Sequence, residues 1–127
     1  MELSDMTLHE IKNLYAEKEV LPSMVLASVA RRIQEQEENL GAYLALDLEA
    51  AFEAAREADR RIKEGKALGV LDGIPVAIKD NLCQAGKETT CASRILQGFV
   101  PPYTATAVQK LLDQGALIIG RTNMDEF

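Results

Sequence analysis

Two short apolar runs, Ile74-Pro75-Val76-Ala77-Ile78 and Ala116-Leu117-Ile118-Ile119, constrain this chain more than any other feature. Each is too short for a buried helix. Gly73 precedes the first, and Gly115 and Gly120 bracket the second. Between them Thr104 reads as the N-cap of a helix running through Gln114. Val108, Leu111 and Leu112 are its apolar positions, and Gly115 is its stop. Strand, crossover helix and strand make a βαβ unit, for which a right-handed connection is expected. A nearly continuous apolar strand needs cover on both faces, so the unit predicts a parallel or mixed sheet under helices.

The helices lie upstream. Thr7 and Glu10 fit a capping box, and Leu8, Ile11, Leu14 and Tyr15 then recur at helical spacing. Pro22 suits the first turn of a second helix. Val25, Val29, Ile33 and Leu40 form its buried stripe, and Gly41 offers a left-handed stop. Residues 42–46 read as a buried strand, with Asp47 capping an alanine-rich helix over 48–64. That helix carries Leu48, Phe52, Ala55, Ala58 and Ile62 on one side, with Glu57 and Arg61 spaced to pair on the other. Residues 80–103 look irregular apart from a helical turn near Ser93–Gln97. Charge and glycine divide the chain near Gly65. Residues 1–64 hold 14 acidic and 8 basic side chains, whereas residues 65–127 hold 6 of each and seven of the eight glycines. The first part is mainly helical and the second begins an α/β core.

The ending is unusual, because Asn123-Met124-Asp125-Glu126 reads as a helix N-cap with glutamate at N3, followed only by Phe127. Two parallel strands are also too few for a sheet. The expectation is the front piece of a longer α/β protein, within a single domain.

Composition excludes several functions. No apolar run approaches the roughly 20 residues that span a bilayer. The acidic opening Met1-Glu2-Leu3-Ser4-Asp5 lacks the basic n-region of a secretory signal, so a cytoplasmic location is expected. A formal net charge of −6 and scattered aromatic residues, three Tyr and three Phe, argue against gripping nucleic acid directly. Cys83 and Cys91 have no second pair or nearby histidine, which disfavours zinc and suits free thiols in a reducing compartment. His9 falls in a polar helix and reads as solvated. Gly115 to Thr122 nearly spells a phosphate-binding loop with Arg121 in the lysine position. The intervening Ala-Leu-Ile-Ile is strand, however, so its N–H groups belong to a ladder.

Lys79 carries the chemical signal. It ends the first apolar run, at the carboxyl end of a parallel strand, where sites in open α/β sheets lie. Alternation places it with Ala77, away from Val76 and Ile78. Low dielectric disfavours the charged form of a lysine, and that is how lysine becomes a general base or nucleophile near neutral pH. Asp80 and Asn81, which follow, read as turn residues bonding local backbone.

Gly73-Ile74-Pro75-Val76-Ala77-Ile78-Lys79-Asp80-Asn81 resembles the first conserved block of the amidase signature family. Thr89-Thr90-Cys91-Ala92-Ser93-Arg94-Ile95-Leu96 and Gly120-Arg121-Thr122-Asn123-Met124-Asp125-Glu126-Phe127 resemble, within it, the A subunits of glutamyl-tRNA(Gln)/aspartyl-tRNA(Asn) amidotransferases. The resemblance covers the whole chain and implies an α/β fold, a mixed sheet sandwiched by helices. It implies glutamine as substrate and a serine–cis-serine–lysine triad whose lysine matches Lys79. Both family serines lie beyond the motif that ends here at Phe127. Ser4, Ser23, Ser28 and Ser93 match neither, so these residues alone are expected to be inactive. The implied partners are the B and C subunits, with ATP and Mg²⁺ held by the partner that also makes the main tRNA contacts. Thr104 stands where the family often has aspartate, and Arg121 where it often has lysine. Two rival readings are a stand-alone amidase of the same family and a non-enzymatic helical docking module in which Lys79 is structural.

Overall fold

The computed structural model describes residues 2–127. Its elements, in chain order, are α1 (Leu8–Ala16), α2 (Pro22–Leu40), β1 (Tyr43–Leu46), α3 (Leu48–Glu64), β2 (Pro75–Lys79), α4 (Thr106–Asp113) and β3 (Leu117–Thr122), with short 3₁₀ turns at Leu3–Asp5 and Arg94–Leu96. The sheet has three strands in the order β1-β3-β2. β2 runs parallel to β3 and β1 antiparallel to it, so the mixed α/β sheet expected from the βαβ unit is present.

Local chemistry explains most boundaries. The capping box at α1 is complete: Thr7 Oγ1 accepts from Glu10 N–H, and the Glu10 carboxylate accepts from Thr7 N–H. Pro22 opens α2 and Gly41 closes it at φ 60°, while Gly115 follows α4 at φ 90°. Leu117 and Ile119, two apart on β3, pack with Leu26 of α2 and with Ala51 and Ala55 of α3. A second cluster joins Ile11 and Tyr15 of α1, Val25 of α2 and Ile74. Gly73 ties this cluster to the start of β2. It sits at φ 76°, its carbonyl accepts from the Tyr15 hydroxyl at 2.7 Å, and a Cβ there would meet Pro22 Cγ at 2.5 Å. Gly120 has a different reason: a Cβ there would meet the Ala45 carbonyl oxygen at 2.5 Å, so β1 could not lie this close to β3.

Several expectations need correction. The 42–46 run forms a strand over Tyr43–Leu46, but not a buried one. β1 is an edge strand, and Leu44 and Leu46 are exposed. β2 is likewise an edge and is covered on one side only: Ile78 is buried while Ala77 and Lys79 are exposed. Leu40 lies in a last turn that overshoots the core and is exposed. Thr104 does not cap α4, whose N-cap is Ala105; its Oγ1 accepts instead from Ala85 N–H at 2.9 Å. Asp47 is the N-cap residue of α3 without a capping hydrogen bond, its carboxylate being paired with Lys87. Arg61 does not pair with Glu57. It forms a two-pronged bond to the buried Asp72, at 2.8 Å to each oxygen, and Glu57 takes Arg60. Residues 123–127 form no helix. Asn123 Oδ1 accepts from Met124 N–H, and Glu126 is engaged by Ser93. The longer β3, which runs through Gly120-Arg121-Thr122, confirms that the near phosphate-loop motif is strand.

Candidate active site

The carboxyl ends of β2 and β3 bring together residues 79–82, 89–93 and 121–127. β2 pairs with β3 so that Ile78 lies beside Arg121 and Lys79 beside Thr122. A register slip between Val76 and Ala77 produces this alignment. Lys79 is the last residue of its strand and its side chain is exposed. No hydrogen bond or ion pair engages its amine among the described residues. The covered, low-dielectric setting expected of it is not provided by residues 2–127.

Its neighbour Asp80 is 2% exposed and is the centre of the site. Oδ1 accepts from Arg121 Nε at 2.6 Å. Oδ2 accepts from Thr90 N–H at 3.0 Å and from the Thr90 hydroxyl at 2.5 Å. Burial pushes the Asp80 carboxyl up. The hydrogen bonds from Thr90 and Arg121 outweigh that and hold it below the ordinary carboxylate range. Asp80 is therefore a fixed anion at the base of the site. Arg121, 5% exposed, also donates through Nη2 to the Leu82 carbonyl.

The loop that carries Thr90 is held from both ends. Cys91 N–H donates to the Asp80 carbonyl at 3.0 Å, and Phe127 N–H donates to the Cys91 carbonyl at 3.1 Å. Ser93 donates to Glu126 Oε1 at 2.7 Å and accepts from Ile95 N–H. Cys91 and Ala92 both occupy the left-handed region, at φ 52° and 57°. For residues with a Cβ this is a strained conformation that surrounding contacts must enforce. Above this loop lies a cleft of about 300 Å³ bounded by Leu44, Asp80, Thr90, Ser93 and Asn123.

Ser93 is committed to Glu126, Ser23 donates to Asp59, and Ser28 Oγ accepts from Ser4 N–H. None of these serines is hydrogen-bonded to Lys79 among the described residues. His9 is exposed on α1, and Cys83 and Cys91 are free thiols. Among the described residues no His, Cys, Asp or Glu side chains gather to hold a metal ion, and no helix is long and apolar enough to cross a membrane. Sequence reasoning singled out Lys79, which the structure places at the end of β2, and missed the Asp80–Arg121–Thr90 cluster beside it. It read Asp80 as bonding local backbone, and weighed Arg121 as a phosphate ligand and as a departure from the family's usual lysine, not as a partner of Asp80. The available signal was a pair of opposite charges just past the two apolar runs that the βαβ unit makes neighbours.

The amidase family profile matches residues 24–127. The chain is 49% identical over 121 residues to the A subunit of the mitochondrial glutamyl-tRNA(Gln) amidotransferase of Mus musculus, covering 95% of this chain and 23% of that one. It is 46% identical over 127 residues to the A subunit of the glutamyl-tRNA(Gln) amidotransferase of Heliobacterium modesticaldum, covering 100% of this chain and 26% of that one. The peptide amidase of Stenotrophomonas maltophilia superposes with a TM-score of 0.88 at 30% identity, over 97% of this chain and 26% of that one. The chain thus spans 23% to 26% of the length of these relatives.

Proposed function

The chain belongs to the amidase family, and from that premise we propose that it is part of the glutamine-hydrolysing component of a tRNA-dependent amidotransferase, its A subunit. The observation that carries this reading is the 46–49% identity to amidotransferase A subunits along essentially the whole chain, against 30% to the peptide amidase of the same fold. In the proposed chemistry the neutral Lys79 amine accepts a proton from a bridging serine, which accepts one from a nucleophilic serine. The serine oxygen attacks the glutamine carboxamide carbon. The C–N bond then breaks as the proton held at Lys79 returns through the bridging serine to the nitrogen, ammonia leaves, and water releases glutamate from the acyl-enzyme. Both serines, and the cover that Lys79 needs to stay neutral, are assigned to the remaining length that the relatives possess. B and C subunits complete the assembly in this reading. ATP and Mg²⁺ are placed at the partner that activates the misacylated tRNA and makes the main contacts to it.

A stand-alone amidase is the second reading, favoured by the close superposition on the peptide amidase. Two substitutions of Lys79 in the complete native enzyme test the first. Arginine keeps the charge and cannot release its proton in this range, so Lys79→Arg is expected to fail almost as badly as Lys79→Ala. Ammonia supplied from solution bypasses hydrolysis and is expected to restore tRNA amidation by both variants. A Lys79→Arg enzyme that hydrolyses glutamine within a few-fold of the native rate removes Lys79 from the mechanism. A native enzyme that hydrolyses simple amides and has no ammonia-dependent amidation favours the second reading.

A further inference from the structure

A guanidinium held at 5% exposure is costly to desolvate, and Arg121 is not fully compensated for it. Nε bonds Asp80, Nη2 bonds the Leu82 carbonyl, and Nη1 is buried with no partner among the described residues. An apolar pair of similar volume would hold β2 against β3 at least as well. What the ion pair adds is direction, and both of its bonds fall on the turn that follows Lys79.

That turn is pinned at every peptide. Leu82 N–H donates to the Lys79 carbonyl at 3.0 Å, Asp80 N–H donates to the Thr122 carbonyl at 3.3 Å, and the Asp80 carbonyl accepts from Cys91 N–H at 3.0 Å. Lys79 therefore sits between two residues that are each 2% exposed, Ile78 and Asp80, while its own side chain projects free. A lysine reaches its target through a flexible four-carbon stem, so the protein aims the amine chiefly by fixing the backbone from which the stem departs.

We propose that Asp80, Arg121 and Thr90 are positioning residues for Lys79: the clamp they form on the Lys79–Leu82 turn aims the amine at the group it deprotonates. This rests on the amidase reading above, and its test separates the two. The central variant in the complete native enzyme is the double replacement Asp80→Asn with Arg121→Met, which removes both charges together and leaves neither orphaned. It is expected to lose about 10- to 100-fold in kcat for glutamine hydrolysis while KM stays within about 3-fold, the pattern of a misaimed group rather than a lost binding contact. Arg121→Lys, which retains a cation within reach of Asp80, is expected to recover to within about 5-fold of the native kcat. Thr90→Val, milder and shape-conserving, is expected to lose about 3- to 10-fold in kcat with KM unchanged. It stands in should the double variant not fold.

A structural role would not be silenced by removing Lys79. In a Lys79→Met background, the same double replacement is expected to change the residual rate less than about 2-fold, because there is no amine left to aim. A folded double variant, or Thr90→Val in its place, with native kcat overturns the proposal. So does an equal loss with and without Lys79. A harmless Lys79→Met would sink the amidase reading itself. A damaging Lys79→Met beside indifferent clamp variants sinks this inference alone.

Discussion

Residues 2–64 and residues 65–127 use charge in opposite ways. In the first region the ion pairs lie in water: Arg31 and Arg32 reach Glu2 and Asp5 with side chains 37% to 55% exposed. In the second, Arg121 and Asp80 meet at 6% and 3% exposure, and Asp72, 1% exposed, takes the 25% exposed Arg61 that reaches across from the first region. Exposed pairs are screened and can be rearranged at little cost. Buried pairs carry a desolvation penalty that only good geometry offsets, so they tolerate one arrangement of the backbone around them. The helical region is therefore assembled by packing and decorated with charge. In the α/β region, charge fixes the backbone at the end of the strand that bears Lys79.

The largest expected effect tests that contrast directly. Asp80→Ala leaves the Arg121 guanidinium buried beside an unpaired Thr90 amide, and it is expected to destabilise the complete native chain by about 3–5 kcal/mol. Chemical denaturation monitored by circular dichroism measures it; a loss below about 1 kcal/mol would class this pair with the surface ones. In the helical region the comparable sensitivity is expected from an apolar residue. Leu26 is fully buried between α3 and β3, and Leu26→Ala is expected to cost about 2–5 kcal/mol through lost burial and a residual cavity.

The same contrast decides what was legible in the sequence. Helix limits set by nearest neighbours could be read directly: the Thr7–Glu10 box, Pro22 at the start of α2, and Gly41 and Gly115 at helix ends. The βαβ unit followed from two apolar runs and the helix between them. Burial was less legible, because an apolar run such as 42–46 carries no mark of lying at a sheet edge. Polar partners were the least legible. Thr104 looks like a cap until Ala85 N–H takes its oxygen, and Arg61 looks like a helix-face partner until Asp72 arrives 11 residues later. Asp80 and Arg121 meet across 41 residues through a register that depends on a slip at Val76/Ala77, which no local pattern encodes. The place of Lys79 at a strand end was legible from the apolar run before it; the Asp80–Arg121–Thr90 cluster on the turn that follows was not.

A smaller effect is expected from pH. The folded Asp80 carboxyl titrates below the unfolded value of about 3.9. Its contribution is present in full above that value and is lost as pH falls through the folded pKa. Between pH 6 and pH 3 the native chain is expected to lose stability more steeply than Asp80→Asn, which has no proton to take up there. Equal slopes would show that other carboxylates govern acid unfolding and that the buried pair is not distinctive.

The smallest effect belongs to the exposed pairs, and it sharpens the comparison from the other side. Arg32 donates to Asp5 at 2.9 Å and lies 3.5 Å from Glu2, which Arg31 also contacts. The contact looks favourable, since the Asp5 charge raises the proton affinity of Arg32 and both arginines lower that of Glu2. All four groups nevertheless face solvent, where ordering two long side chains offsets most of the attraction. Ordinary salt screens what remains. Arg32→Ala is therefore expected to leave the melting temperature unchanged within error, and 1 M NaCl is expected to act alike on variant and native chain. The 3₁₀ turn over Leu3–Asp5 would stay seated because Leu3 and Met6 pack on the cluster of Ile11, Tyr15, Val25 and Ile74. A salt-sensitive drop in melting temperature on Arg32→Ala would mean that charge, rather than these apolar contacts, seats the amino-terminal segment, and the division between the two regions would fail at its amino-terminal end.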